Sequence, residues 1–228
     1  MAGITLSASV ICADPLHLQR DLALLTEHGF ALHFDMMDGH FVPGLGLHPG
    51  LLGRITGALS APVDVHLMVS DPLPWIEPVA AAGATLVSFH LEAPADPYTV
   101  LHRIRSVGTA DGGALRAGIA LRPLTPLGGL EPLLEHVDAV LLMAYAPGTS
   151  GQPPLPRFAE RIAGLRRLLE AHGRTEVEII IDGGVSQELV PRYRAAGADV
   201  FVFGTAGLFT GTDGLAANID RIEHLAAG

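Results

Sequence analysis

Two histidines and two aspartates carry the residue types for joint chemistry. His33 and Asp35 are two apart in His33-Phe34-Asp35-Met36-Met37, His66 precedes Leu67-Met68, and Asp182 precedes Gly183-Gly184. Each stands where an apolar run stops. In a strand, positions i and i+2 share a face, so His33, Asp35 and Met37 point one way while Phe34 and Met36 point the other. Two imidazoles and two carboxylates converging from three strand ends would make a divalent-metal site. The carboxylates could also serve as a paired acid and base. Read alone, His33 is a hydrogen-bonded core residue and Asp35 a loop anchor. His66, with Asp64 and Met68 on its own face, shifts the reading towards function; Asp64 lies one layer deeper and reads as a structural carboxylate.

Positioning these residues requires strands that meet. Short apolar or β-branched runs begin near Ile4, Ala31, Val63, Leu86, Arg116, Ala139, Glu176 and Val200. Helical periodicity runs between them over Leu16–His28, Pro74–Ala82, Pro97–Val107, Leu127–His136, Phe158–Ala171 and Glu188–Ala196. Asp14-Pro15 and Asp71-Pro72 resemble helix entries, and Gly29, Gly83 and Gly197 resemble exits. Near-continuous apolar strands alternating with helices imply a parallel sheet covered by helices. Eight such units fit a (β/α)8 TIM barrel of α/β class, in one domain spanning 1–228 with no Pro/Ser/Gly-rich linker. A doubly wound open sheet is the alternative, weakened because no Gly-x-Gly-x-x-Gly follows the first strand.

Composition narrows the chemistry. A 228-residue chain that is 49% hydrophobic and 17% charged builds a full core. Its net charge of −10 argues against nucleic acid or an anionic membrane as main partner. The lone Cys12 allows no internal disulfide, and with neither a convincing leader nor an apolar run of about 18 residues the reading is cytoplasmic. All 14 basic residues are Arg. Without Lys, Schiff-base aldolase chemistry, lysine-anchored pyridoxal phosphate and an Asp-Lys-Asp decarboxylase network are excluded.

A barrel places its active site at the C-terminal strand ends. Those ends read Ser9, His33 and Asp35, His66 and Met68, His90, Arg122, Met143, Asp182, then Gly204-Thr205. Asp35 and Asp182 flank the axis from opposite walls, so a planar intermediate between them could lose a proton to one and regain it from the other on the opposite face. Met37, Met68 and Met143 would line that space with polarizable thioethers. Gly148-Thr149-Ser150-Gly151, Gly183-Gly184 and Gly204-Thr205 follow strands six, seven and eight, where backbone N–H groups hold phosphate in barrels. His90 reads as support for the site from behind; the remaining eight histidines read as surface or loop residues.

Six ordered segments carry a family resemblance along nearly the whole chain. They are Ser7–Asp14 (SASVICAD), His33–Pro43 (HFDMMDGHFVP), Val63–Val69 (VDVHLMV), Val140–Gln152 (VLLMAYAPGTSGQ), Ile181–Val185 (IDGGV) and Ala195–Thr205 (AAGADVFVFGT). The chain resembles the ribulose-phosphate 3-epimerase family, whose fold is a ribulose-phosphate-binding barrel. That resemblance implies one divalent ion (Zn, Fe, Mn or Co) on His33, Asp35, His66 and Asp182, with Asp35 and Asp182 as the acid/base pair. It also implies substrate contacts from Ser9 and His66, a phosphate grip by the three glycine clusters, and a homo-oligomer. The expected reaction is 3-epimerisation of a ketose phosphate, by default D-ribulose 5-phosphate to D-xylulose 5-phosphate. Cys12 and Gly204–Phe209 look closer to the branch acting on D-allulose 6-phosphate. Further departures are Arg122, Ala144–Ala146, Thr149-Ser150 in the lid loop, and Gly44; Arg122 would bring positive charge towards the pocket. A non-catalytic phosphosugar-binding barrel is the reading from a different class.

Overall fold

The computed structural model describes residues 3–211 and 214–227. Its eight strands are β1 (Thr5–Ser9), β2 (Ala31–Met37), β3 (Val63–Met68), β4 (Leu86–His90), β5 (Arg116–Leu121), β6 (Ala139–Met143), β7 (Glu178–Asp182) and β8 (Val200–Phe203). Each pairs in parallel with the next, and β1 pairs with β8, which closes the barrel. The open-sheet alternative is therefore ruled out. Around it lie α1 (Leu18–Glu27), α2 (Pro49–Ala58), α3 (Leu73–Ala81), α4 (Pro97–Ser106), α5 (Phe158–Ala171), α6 (Val190–Ala195) and α7 (Leu215–Ala227). Between β5 and β6 the segment Leu127–His136 winds as 3-10 turns rather than as an α-helix. Gly128-Gly129 at its start and Pro132 inside it, which has no N–H, disfavour the α-helical ladder.

Strand alternation sorts the barrel into two cores. Leu32, Phe34 and Met36 of β2, with Val63, Val65 and Leu67 of β3, face the helices and are buried. The inner core is Leu86, Ala120, Ala139, Leu141, Met143, Ile180, Val200 and Val202, drawn from β4 to β8. The inward positions of β1 to β3 carry Ser7, Ser9, His33, Asp35, Asp64 and His66 instead. The barrel interior thus has a polar wall facing an apolar one.

Three helix exits share one device. Gly29, Gly83 and Gly197 have φ of 76°, 94° and 104°, and the following residues return N–H bonds to Leu25, Val79 and Tyr193. This left-handed closure is open to glycine at no steric cost and turns each chain directly into the next strand. The two Asp-Pro steps begin helices less directly than expected. Asp14 accepts the Leu16 N–H in a turn and α1 starts at Leu18, while Asp71 accepts the Leu73 N–H where α3 begins.

Candidate active site and metal centre

Ser9, Asp35, Met37, Met68, Met143 and Asp182 line one cavity of about 850 Å³ at the C-terminal mouth of the barrel. So do Gly148, Thr149, Ser150, Gly151, Gly183, Gly184, Gly204 and Thr205. His33 and His66 are fully buried and stand against Asp35 and Asp182 of that lining. Ser9 and Asp182 end their strands, while His33, Asp35 and His66 stand short of the ends of theirs. His33 is mid-strand, level with Ser9 and Asp64, and Asp35 is level with His66.

Four donors converge there. His33 Nε2 lies 3.3 Å from Asp35 Oδ1 and 3.9 Å from Asp182 Oδ2; His66 Nδ1 lies 3.4 and 3.8 Å from the same two oxygens. One ligand atom from each residue falls within 4.8 Å of all the others. Both imidazole nitrogens are buried without a hydrogen-bond partner, an arrangement that costs about 1–3 kcal/mol per group unless something fills it. A mixed set of two imidazoles and two carboxylates around a common point fits a divalent transition metal.

Each donor is held from behind. His33 Nδ1–H donates to Asp64 Oδ2 at 2.8 Å, so Asp64 orients a ligand-type imidazole, in keeping with its reading as a structural carboxylate. The Ser9 hydroxyl donates to Asp35 Oδ2 at 3.0 Å, which turns Oδ1 towards the imidazoles. Leu47 N–H bonds to the Asp35 carbonyl at 2.8 Å as the loop after β2 folds back. His66 Nε2 is 3.0 Å from His90 Nε2, and His90 Nδ1 is 3.1 Å from Glu92 Oε2. His90 therefore does stand behind the site.

The charges are unequal by construction. Burial works to raise Asp35, but His33 and His66 beside it overrule that and hold its carboxyl well below the usual range. Burial raises Asp182, and the charge on Asp35 adds to the effect against the opposing pull of His33. Two carboxylates pushed apart in this way can take different protonation states. Burial alone would lower His33, yet Asp35 and Asp64 raise it well above its ordinary value. The pocket is short of positive charge, which a proton or a cation can supply. His90 is different: burial pulls it down to about 4, leaving a neutral ring, while hydrogen bonds hold Glu92 at about 2 against its own burial.

Residues 5–209 match the ribulose-phosphate 3 epimerase family. The chain belongs to that family. As a member it is an isomerase of the epimerase class. It is 35% identical over 204 residues to ribulose-phosphate 3-epimerase of Mycobacterium leprae, covering 90% of this chain and 88% of the relative. It is 38% identical over 211 residues to the Treponema pallidum enzyme of the same name, covering 92% and 93%. The fold alone is shared with the tryptophan synthase A-subunit of Pyrococcus furiosus, at TM-score 0.67 and 13% identity over 99% of this chain and 98% of that one. Among the described residues, no helix is long and apolar enough to cross a membrane.

Arg122 does not reach the pocket: its guanidinium stacks 4.4 Å above the Phe41 ring and donates to the Phe41 carbonyl at 3.2 Å. Its length and the apolar Phe41 face favour that strap over the cavity. Tyr145, seen in sequence only as a departure, lines the cavity, with its ring 3.2–3.3 Å from where a Cβ on Gly183 or Gly184 would sit. Those glycines, at φ of 104° and 62°, let the ring lie on the backbone after β7. Burial first, then the Asp182 charge, pushes the Tyr145 hydroxyl up to about 12. Glu92 was missed altogether, although His90-Leu91-Glu92 repeats the two-residue spacing of His33 and Asp35.

Proposed function

We propose that this chain epimerises a ketose phosphate at carbon 3, with D-ribulose 5-phosphate and D-xylulose 5-phosphate as the default pair. The observation that carries the reading is the convergence of Asp35 and Asp182, from β2 and β7, on the same two unpartnered imidazole nitrogens below one cavity. His33, Asp35, His66 and Asp182 would hold one divalent ion, Zn, Fe, Mn or Co. When bound, such an ion supplies Lewis-acid stabilisation of the oxyanion that develops next to the reacting carbon, worth several kcal/mol.

The residues of the chain account for the inversion. One carboxylate takes the carbon-3 proton and leaves a planar enediolate; the other returns a proton to the opposite face. The differing proton affinities of Asp35 and Asp182 suit these roles. The Ser9 hydroxyl keeps Asp35 aimed and lies within reach of a sugar hydroxyl. Met37, Met68 and Met143 surround the planar intermediate with groups that neither donate nor accept protons strongly. The phosphate would lie on backbone N–H groups of Gly148–Gly151, Gly183-Gly184 and Gly204-Thr205, a cradle that needs no lysine.

One observation favours the six-carbon substrate as a second reading. Cys12 and Gly204, two features of the allulose-phosphate type, meet each other, with Cys12 Sγ 3.0 Å from a Cβ position on Gly204. Measurement of kcat/KM on D-ribulose 5-phosphate and D-allulose 6-phosphate tests both readings. Preference for the pentulose is expected; preference for the hexulose overturns the default. No turnover of either by metal-loaded protein overturns the epimerase reading itself.

A further inference from the structure

His66 is held by a hydrogen-bond chain that runs away from the cavity and ends on a carboxylate. His66 and His90 are fully buried and share one Nε2–Nε2 hydrogen bond of 3.0 Å. Such a bond carries a single proton, so one nitrogen donates and the other accepts. Which does which is decided at Glu92. Its Oε1 accepts the Arg122 N–H at 2.8 Å and the Thr125 hydroxyl, and its Oε2 faces His90 Nδ1 at 3.1 Å. Both carboxylate oxygens are acceptors, so His90 donates from Nδ1, and an imidazole that carries its one proton on Nδ1 accepts at Nε2. His66 must then carry its proton on Nε2. Its lone pair is left on Nδ1, the nitrogen that faces Asp35 and Asp182.

We propose that Glu92, acting through His90, is a positioning residue that sets the tautomer of His66 and so makes Nδ1 a metal donor. The inference rests on the metal reading of the four-residue cluster above. His33 achieves the same end through the opposite nitrogen. Asp64 takes its Nδ1–H directly, and Nε2 faces the site. One ligand is thus set by a carboxylate in contact, the other by a carboxylate one imidazole removed. Arg161 reinforces the far end, donating to the carbonyls of Arg122 and Thr125, whose N–H and hydroxyl occupy Glu92.

Glu92→Gln inverts the chain. A single amide oxygen serves the Arg122 and Thr125 donors, so the amide NH2 turns to His90 Nδ1, which must accept. His90 then donates from Nε2, and His66 is protonated on Nδ1. Proton–nitrogen correlation spectra of full-length, histidine-labelled protein read both tautomers without substrate or metal. In the wild type we expect His66 protonated on Nε2 and His90 on Nδ1; in Glu92→Gln both reverse. Zn(II) affinity by chelator competition should fall roughly 10–100-fold in the variant. A wild-type His66 protonated on Nδ1 overturns the proposal, as do unchanged tautomers and undiminished zinc affinity in Glu92→Gln. If the variant does not fold, the wild-type tautomers decide. If wild-type protein binds no stoichiometric Zn(II), the metal reading fails, and the tautomers still uphold or overturn the relay.

Discussion

Replacing Asp182 with Asn should separate chemistry from stability. The carboxylate stands 3.9 Å from His33 Nε2 and 3.8 Å from His66 Nδ1, beyond hydrogen-bond reach, so an isosteric amide breaks no bond there. What disappears is a proton acceptor and donor on one wall of the cavity. A positioned general acid or base contributes about 10²–10⁴-fold, which corresponds to roughly 3–5 kcal/mol of barrier. We expect kcat to fall by that factor, with KM changed little because the glycine cradle is untouched. Stability should move the other way. The folded Asp182 carboxyl titrates above its ordinary value, through burial and the Asp35 charge. A raised acid has its ionised form penalised in the fold. That penalty is absent below the unfolded pKa and fully present once pH exceeds the folded one. At neutral pH without added metal, Asp182→Asn should therefore melt at a higher temperature than wild type. Added divalent ion should reverse the order, since the variant lacks one ligand. Coupled turnover assays and thermal melts with and without Zn(II) check both halves. Near-native kcat would refute the acid/base role, and a lower metal-free melting temperature would refute the electrostatic argument.

Three other outcomes are expected. Asp64→Asn loses the carboxylate that accepts His33 Nδ1–H at 2.8 Å and should weaken Zn(II) binding roughly 10–100-fold by chelator competition. Gly148→Ala places a Cβ 2.6 Å from Val42 Cβ at a φ of 73°, so the lid loop must shift; KM should rise several-fold, and strain of about 1–3 kcal/mol should lower the melting temperature by several degrees. Glu92 is held at about 2, against an ordinary 4.5, by His90, Thr125 and Arg122. A depressed acid stabilises the fold above its unfolded pKa and loses that contribution as pH falls. As pH falls from 4.5 to about 2 the wild type should lose more stability than Glu92→Gln in urea unfolding.

Strand placement was largely legible because period-2 alternation is strong in β2 and β3. Predicted starts at Ala31, Val63, Leu86, Arg116, Ala139 and Val200 coincide with the observed strands, while β1 begins at Thr5 and β7 at Glu178. Alternation fixes which face a residue occupies but not its depth, which depends on strand stagger around the closed barrel. That is why His33 was placed at a strand end and lies in mid-strand, level with Asp64. The four-residue cluster emerged from residue type and spacing. Of its supports, Asp64 and His90 were legible by residue type and strand position, whereas Glu92 was not, since the His66–His90 and Glu92–Arg122 contacts join segments far apart in sequence. Arg122 was misjudged because a long side chain at a strand end can fold over a neighbouring ring as readily as into a pocket.

Two-sided proton transfer at carbon 3 can be followed by solvent-isotope incorporation. Metal-loaded protein is incubated in D2O with D-ribulose 5-phosphate, and both epimers are examined at carbon 3. We expect deuterium at that carbon in the inverted product, formed at the rate of epimerisation, with incorporation slowed about 10²–10⁴-fold in Asp182→Asn. Inverted product that keeps its original carbon-3 hydrogen, or sustained absence of exchange and inversion with each ketose phosphate, would contradict it.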